Sequence, residues 1–333
     1  MPQRRSPDRQ QEAALDIADL ARDLAGRVRA RERRAVARAL TEAERQSPLA
    51  TELLRALKED MGRALVVGFT GPPGAGKSTL VDAYVRALRQ QGQLTGVVAV
   101  DPSSPVSGGA ILGDRVRMTA GLEDDGVFVR SLAARGHLGG LSPAAVRMID
   151  VLDAAGYDRI LVETVGTGQS EIDVAQVTDV RVVISAPGLG DEIQAMKSGL
   201  LEIADVLVVN KSDREGADRT FHQLKAALGM RAAGRSQTPV LKTTATTGEG
   251  VADVVAAVEK IGSRRLGIGP LARRRMRARY LIARAAAELV EARVRQSDME
   301  RINTLSDALL EGRLSAAEAA VRLLGGRSTR TSP

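Results

Sequence analysis

The residues with the most chemical meaning are Gly71-Pro72-Pro73-Gly74-Ala75-Gly76-Lys77-Ser78, followed by Thr79. They match G-x-x-x-x-G-K-[ST] between an apolar run, Ala64–Thr70, and a helical stretch, Ser78–Gln90. Glycines at these positions let consecutive backbone N–H groups turn inward around phosphate oxygens. Lys77 then adds a positive charge for β- and γ-phosphates, and the Ser78 hydroxyl is a ligand for Mg²⁺. A Gly-rich turn alone would be ordinary. The strand before it and the helix after it make it a phosphate site.

Asn210-Lys211-Ser212-Asp213 closes another apolar run, Val206–Asn210. An N-K-x-D sequence at a strand end can read guanine. Its Asp accepts from N1–H and the 2-amino group, and its Lys packs along the base. Adenine lacks that donor pair, so the carboxylate would stay unpaired. By itself the pattern is a common strand-end turn; downstream of a phosphate loop it becomes informative. Thr244-Ala245-Thr246, which follows a further strand, fits a companion loop against the base.

Carboxylates stand at two more strand ends. Glu163-Thr-Val-Gly166 occupies the place of a D-x-x-G motif, whose Gly N–H touches the γ-phosphate and whose acid holds Mg²⁺ through water. Two roles stay open for Glu163: orienting the attacking water, or sitting behind the metal. Asp101 begins a Gly-, Ser- and Pro-rich segment running to Asp114 and Met118, which reads as a switch loop with oxygen ligands suited to Mg²⁺. Pro187–Lys197, with Gly188, Gly190, Asp191, Glu192, Gln194 and Lys197, reads as a second switch loop; acids complementing a helix N-terminus are the plainer alternative. His137 and His222 have no partners at ligand or triad spacing.

These residues need a scaffold that brings strand ends together. Seven short apolar runs supply one: Ala64–Thr70, Val97–Asp101, Val127–Ser131, Arg159–Thr164, Val180–Ala186, Val206–Asn210 and Val240–Thr243. Their hydrophobicity is continuous rather than alternating, which predicts strands buried on both faces and a mainly parallel α/β sheet with helices on each side. Ligands on such sheets bind beyond the carboxyl ends of the strands, where the motifs lie. Residues 1–60 read as an N-terminal helical extension, 61–262 as the nucleotide domain and 263–333 as a C-terminal helical arm with a disordered tail. In that arm Met276, Tyr280, Ala283, Ala287, Val290 and Val294 form a stripe. Ser297 with Glu300 and Ser315 with Glu318 read as capping boxes.

Composition removes several alternatives. The 333 residues contain no Cys, so disulfides and thiolate metal sites are excluded. Three Phe, three Tyr and no Trp argue against an aromatic-stacking binder of single strands. The net charge of +7 divides into +3 for residues 1–45, −4 for 46–262 and +8 for 263–333. A basic arm that also carries an apolar stripe favours protein contacts over nucleic acid. No apolar run approaches the roughly 20 residues of a membrane span, and a cytoplasmic protein without a membrane partner is expected.

Taken together, GPPGAGKST, VDPSSPVSGGAILGDRVRM, ETVGTGQSE, PGLGDEIQAMKSG and NKSD resemble the MeaB/MMAA-type GTPases, also labelled ArgK or LAO/AO transport-system kinases. The resemblance spans roughly residues 10–300. It implies a P-loop G domain of the SIMIBI type with helical extensions, GTP/GDP and Mg²⁺ as ligands, and a homodimer formed through the C-terminal arm. It further implies a chaperone that gates adenosylcobalamin loading and repair of an acyl-CoA mutase. Lys77 and Ser78 would hold phosphate and Mg²⁺, Asp101 and Asp114 would join the metal network, and Glu163 would be the catalytic carboxylate. The Pro187–Lys197 switch would signal to the mutase. Slow intrinsic hydrolysis is expected, as no arginine finger is identifiable. A kinase of a transport-related protein is the first rival, though no phosphoacceptor motif is visible. A metallochaperone GTPase is the second, disfavoured by the absence of Cys and the scarcity of His.

Overall fold

A computed structural model describes residues 7–101, 124–133, 141–164, 170–188, 199–229, 238–297 and 299–325. Among them the strands are β1 Leu65–Thr70, β2 Thr95–Asp101, β3 Val127–Ala133, β4 Arg159–Glu163, β5 Val180–Ser185, β6 Val206–Asn210 and β7 Val240–Thr243. They coincide with the seven apolar runs. All pair in parallel in one sheet of order β3-β2-β4-β1-β5-β6-β7.

The helices of the first half are α1 Pro7–Arg29, α2 Arg33–Arg45, α3 Pro48–Ala56, α4 Lys77–Gln90, α5 Pro143–Ala154 and α6 Ser170–Val177. Those of the second half are α7 Leu200–Ile203, α8 Ala217–Gly229, α9 Val251–Leu266, α10 Pro270–Arg295, α11 Met299–Leu310 and α12 Ala316–Gly325. The chain divides into two compact units, Met1–Arg277 and Ala278–Pro333.

In the first unit every residue of β1 and of β6 is buried, as continuous apolar runs demand. Val67 and Phe69 join Leu80, Tyr84, Val254 and Val258 in the core that α4 and α9 share with the sheet. The Phe69 and Tyr84 rings meet edge to face at 5.2 Å, and burial pushes the Tyr84 phenol well above its usual range. Val183, Leu207 and Val209 pack with Leu224 and Leu228 of α8 in a second cluster.

The N-terminal helices secure the opposite end of the sheet. α2 buries Ala35, Val36, Ala39, Leu40 and Ala43. Arg33 donates to the Val127 carbonyl at 3.1 Å and lies over the Phe128 ring, and Arg130 pairs with Glu44 at 2.8 Å. Strand β3 is the edge on this side, and an uncovered edge invites pairing with another chain.

Buried charges fix the entrance to β1. The Asp153 carboxylate accepts from the backbone N–H groups of Gly62, Arg63 and Ala64. Asp179 accepts from the Val66 N–H at 2.9 Å and from Arg273 at 3.0 Å. The Arg277 guanidinium, its side chain 2% exposed, lies 3.5 Å from Asp150 and 3.7 Å from Asp153.

Burial raises the Asp150 carboxyl to about 6 against the opposing pull of Arg277. Between the ordinary carboxylate value and about 6 the folded chain therefore binds more protons at this site than the unfolded chain. Ionisation costs stability as pH rises through that window, of order 2–3 kcal/mol in all. Asp150→Asn should flatten the stability curve between about pH 4 and pH 6, read by urea denaturation at each pH. An unchanged slope would mean another group produces it.

In the second unit, the expected box at Ser315 forms. The Ser315 N–H donates to Glu318 at 2.8 Å and the Glu318 N–H returns to Ser315 Oγ at 3.3 Å, which holds the Glu318 carboxyl below its usual range. Ser297 donates its hydroxyl to the Arg293 carbonyl at the end of the preceding helix. None of the described helices is long and apolar enough to cross a membrane.

Candidate functional site

Parallel pairing brings the motif-bearing strand ends to one edge. Register sets Phe69 of β1 and Ala99 of β2 both opposite Glu163 of β4, and Asn210 of β6 opposite Thr243 of β7. Asp101 thus lies two residues beyond the neighbour of Glu163, on the adjacent strand.

At two positions of the phosphate loop both conformation and space call for glycine. Gly71 has φ +147°, and a Cβ there would run into the Ile184 carbonyl oxygen. Gly76 has φ +86°, and a Cβ there would sit 2.5 Å from Asn210 Nδ2. Beyond Gly76, helix α4 starts at Lys77 and presents its N-terminus to the loop. Lys77 is buried, and its Nζ donates to the carbonyls of Gly71 at 2.8 Å and Pro72 at 3.0 Å. Its cation is therefore held within the loop it serves. Pro73, Gly74 and Thr79 are exposed around it, while Ala75 is buried.

Ser78 Oγ donates to Glu163 Oε1 at 2.6 Å, with Glu163 only 3% exposed. A hydroxyl and a carboxylate in contact at a helix N-terminus are hard oxygen donors, and this pair fits a Mg²⁺ ion. Next to them the Thr164 hydroxyl donates to Thr70 Oγ1 at 2.9 Å, locking the end of β4 to that of β1.

The base side is tied to the phosphate side by one amide. Asn210 Nδ2 donates to the Ala75 carbonyl at 2.9 Å, and Asn210 Oδ1 accepts from Thr243 Oγ1 at 3.1 Å and the Ala245 N–H at 3.2 Å. Lys211, at φ +58°, donates from Nζ to the Gly74 carbonyl at 2.6 Å. Ser212 and Thr244 share a hydroxyl hydrogen bond of 2.9 Å. Asp213 and Thr246 are exposed at the rim.

The comparisons with known proteins agree with this geometry. The family model described as methylmalonyl Co-A mutase-associated GTPase MeaB matches residues 36–300. The chain belongs to the MeaB family. A protein of Pyrococcus horikoshii named as a GTPase is 44% identical over 279 residues, covering 81% of this chain and 88% of its own. The mouse mitochondrial methylmalonic aciduria type A homolog is 36% identical over 268 residues, 78% of this chain and 64% of its own. A crystal structure of an LAO/AO transport system kinase superposes with a TM-score of 0.73 at 28% identity, covering 92% of this chain and 96% of that one.

As a MeaB-family protein the chain is a P-loop GTPase that binds guanine nucleotide. Its structure brings together the Gly71–Thr79 loop, Glu163, Asn210–Asp213 and Thr244–Thr246. Gly166, Asp114, Gly190, Asp191, Glu192, Gln194 and Lys197 lie outside the described residues, and Asp101 is described in its backbone alone. Of the second switch segment, Pro187–Lys197, Pro187 and Gly188 are described, Gly188 with φ +86°. Two partnerships of this site carried no sequence signal: the Thr70–Thr164 hydroxyl pair and the clamp made by Asn210. Both join residues far apart in the chain whose types are common at strand ends.

Proposed function

We propose that this GTPase serves an adenosylcobalamin-dependent acyl-CoA mutase, gating loading and repair of the mutase's cofactor through its own cycle of GTP binding and hydrolysis. The observation that carries the reading is the match to the mutase-associated model across residues 36–300. The name of the mouse relative points the same way.

In this reading Lys77 leaves the Gly71 and Pro72 carbonyls for the β- and γ-phosphate oxygens when nucleotide enters, an exchange between partners a few ångströms apart. Ser78 would hold Mg²⁺ with Asp101 and Asp114, and Glu163 would stand behind Ser78 through their hydrogen bond. Bound Mg²⁺ neutralises charge on the phosphate oxygens. Glu163 also has the reach to orient an attacking water. The Gly166 N–H would touch the γ-phosphate, and the Pro187–Lys197 segment would carry the signal outward.

Homodimerisation belongs to the same proposal. Ile282, Leu289, Val290 and Val294 of α10 are exposed in the single chain, and apolar faces of that kind are ordinarily covered by a partner. Domain bounds of 1–60, 61–262 and 263–333 are retained with it.

The deciding experiment mixes the GTPase with a cobalamin-dependent acyl-CoA mutase and measures GTP turnover and co-elution. We expect a complex whose formation depends on nucleotide, with turnover at least tenfold above basal. Failure of every such mutase to bind or stimulate would overturn the assignment. The likeness to a structure named as a transport-system kinase supports the rival reading. Label from γ-³²P-GTP or γ-³²P-ATP appearing on protein would favour it; label released only as inorganic phosphate would oppose it.

A further inference from the structure

A cavity of about 500 Å³ opens at the edge of the sheet opposite the nucleotide loops. Arg181 near the start of β5, Asp205 just before β6 and Pro239 just before β7 form its wall, and the last turns of α9 close it with Lys260, Arg264 and Arg265. Strand β6 spans Val206–Asn210, so this edge is separated from the base-reading motif by roughly 15 Å or more. The volume lies in the range of small-molecule sites.

The lining carries four cations, Arg181, Lys260, Arg264 and Arg265, against two carboxylates, Glu202 and Asp205, so the cavity is net positive. Asp205 is taken up by Arg181 at 2.7 Å and by Arg265 at 3.5 Å. Arg181 also donates to the Ile203 carbonyl at 3.0 Å, which fixes its guanidinium in place. Lys260 and Arg264 are exposed and enter no ion pair among the described residues. They stand four residues apart, on one face of α9, where like charges oppose helix formation. Basic residues in a last helical turn complement the macrodipole, which accounts for Arg264 and Arg265 but not for Lys260. Ile203, Ala204, Ala257 and Ile261 give the same cavity an apolar floor.

We infer that this cavity is a second ligand site, taking a small organic anion with a phosphate or carboxylate group between Lys260, Arg264 and Arg265 and an apolar body on Ile203 and Ile261. The site is independent of the nucleotide and of any partner protein. An anion there relieves the repulsion between Lys260 and Arg264 as it forms charge-assisted hydrogen bonds.

Phenyl phosphate is a suitable probe, since it combines a dianion with a ring. It is titrated into wild-type protein saturated with GDP and Mg²⁺, which closes the phosphate loop to it, and binding is read by saturation-transfer NMR on the ring protons. Inorganic phosphate and benzoate, run beside it, show which anion the cations prefer and how much the ring contributes. We expect saturable binding, weakened at least tenfold in the Lys260→Glu/Arg264→Glu double variant and weakened by added salt. Basal GTP hydrolysis in that variant should equal wild type, which establishes that it folds. No transfer to the probe in wild type, or equal binding in the variant, overturns the inference. Capture of an acidic peptide without binding of phenyl phosphate or benzoate also overturns it, because the patch would then be a protein-docking surface.

Discussion

Lys77→Ala should lower kcat/KM for GTP by about 10³-fold, with weaker binding of both GTP and GDP. Lys77 is a buried cation whose Nζ has two loop carbonyls as partners, Gly71 and Pro72, at 2.8 and 3.0 Å. Those carbonyls cannot match a polyphosphate as a counter-charge, so the amine is poised to exchange them for phosphate oxygens. Removing one preorganised donor from a site where charge develops costs about 10²–10³ in rate, and lost ground-state binding adds to that. Truncation also uncovers the loop carbonyls, so the fold is checked by thermal denaturation without nucleotide. Glu163→Gln provides the contrast. It keeps the hydrogen bond from Ser78 and should retain nucleotide while hydrolysing it more slowly. Equal kcat in Glu163→Gln and wild type would confine Glu163 to a structural role. Near-wild-type turnover in Lys77→Ala would remove the phosphate-site assignment altogether.

The contrast between these two residues parallels what the sequence made legible. The seven strands and their parallel pairing follow from local patterning, because a strand buried on both faces has to be apolar throughout. The loop Gly71–Ser78 is equally local, its spacing and its glycines forced by backbone that must curl toward a ligand. The strand-end position of Asn210-Lys211-Ser212-Asp213 follows from the same logic. The Ser78–Glu163 contact is of another kind. It joins residues 85 apart in the chain and depends on β1 and β4 being neighbours in the sheet, an order that periodicity does not encode. The same holds for the buried acids Asp153 and Asp179, which read as ordinary surface charges until Gly62–Ala64, Val66 and Arg273 are placed against them. Asn210 shows the intermediate case. Its motif marks it for the nucleotide, and its amide in the structure clamps the phosphate loop to the Thr243–Ala245 loop. Its amide thereby holds the two loops in register.

The second large expectation concerns Asp213, proposed to select the base. Asp213 is exposed at the rim of the site, while the residues around it are fixed: Lys211 on the Gly74 carbonyl, Ser212 on Thr244 and Asn210 on Ala75. A carboxylate on so rigid a base can accept two hydrogen bonds at once from guanine N1–H and the 2-amino group. Hydrogen bonds to a charged group contribute about 1.5–3 kcal/mol each, so Asp213→Ala should reduce GTP-over-ATP selectivity by about 10²–10⁴-fold. The loss should fall on GTP, with little gain for ATP, because the alanine offers adenine nothing new. Asp213→Asn makes the test sharper. Its amide N–H suits a carbonyl at the position where guanine carries its amine, so xanthosine triphosphate should become the better substrate as GTP declines. Phosphate contacts are common to all three nucleotides, so kcat at saturation should change far less than KM. Measured kcat and KM for GTP, ATP and xanthosine triphosphate separate these outcomes. Unchanged GTP-over-ATP selectivity in both variants would place base recognition elsewhere, with the backbone around Thr244–Thr246 as the next group to examine.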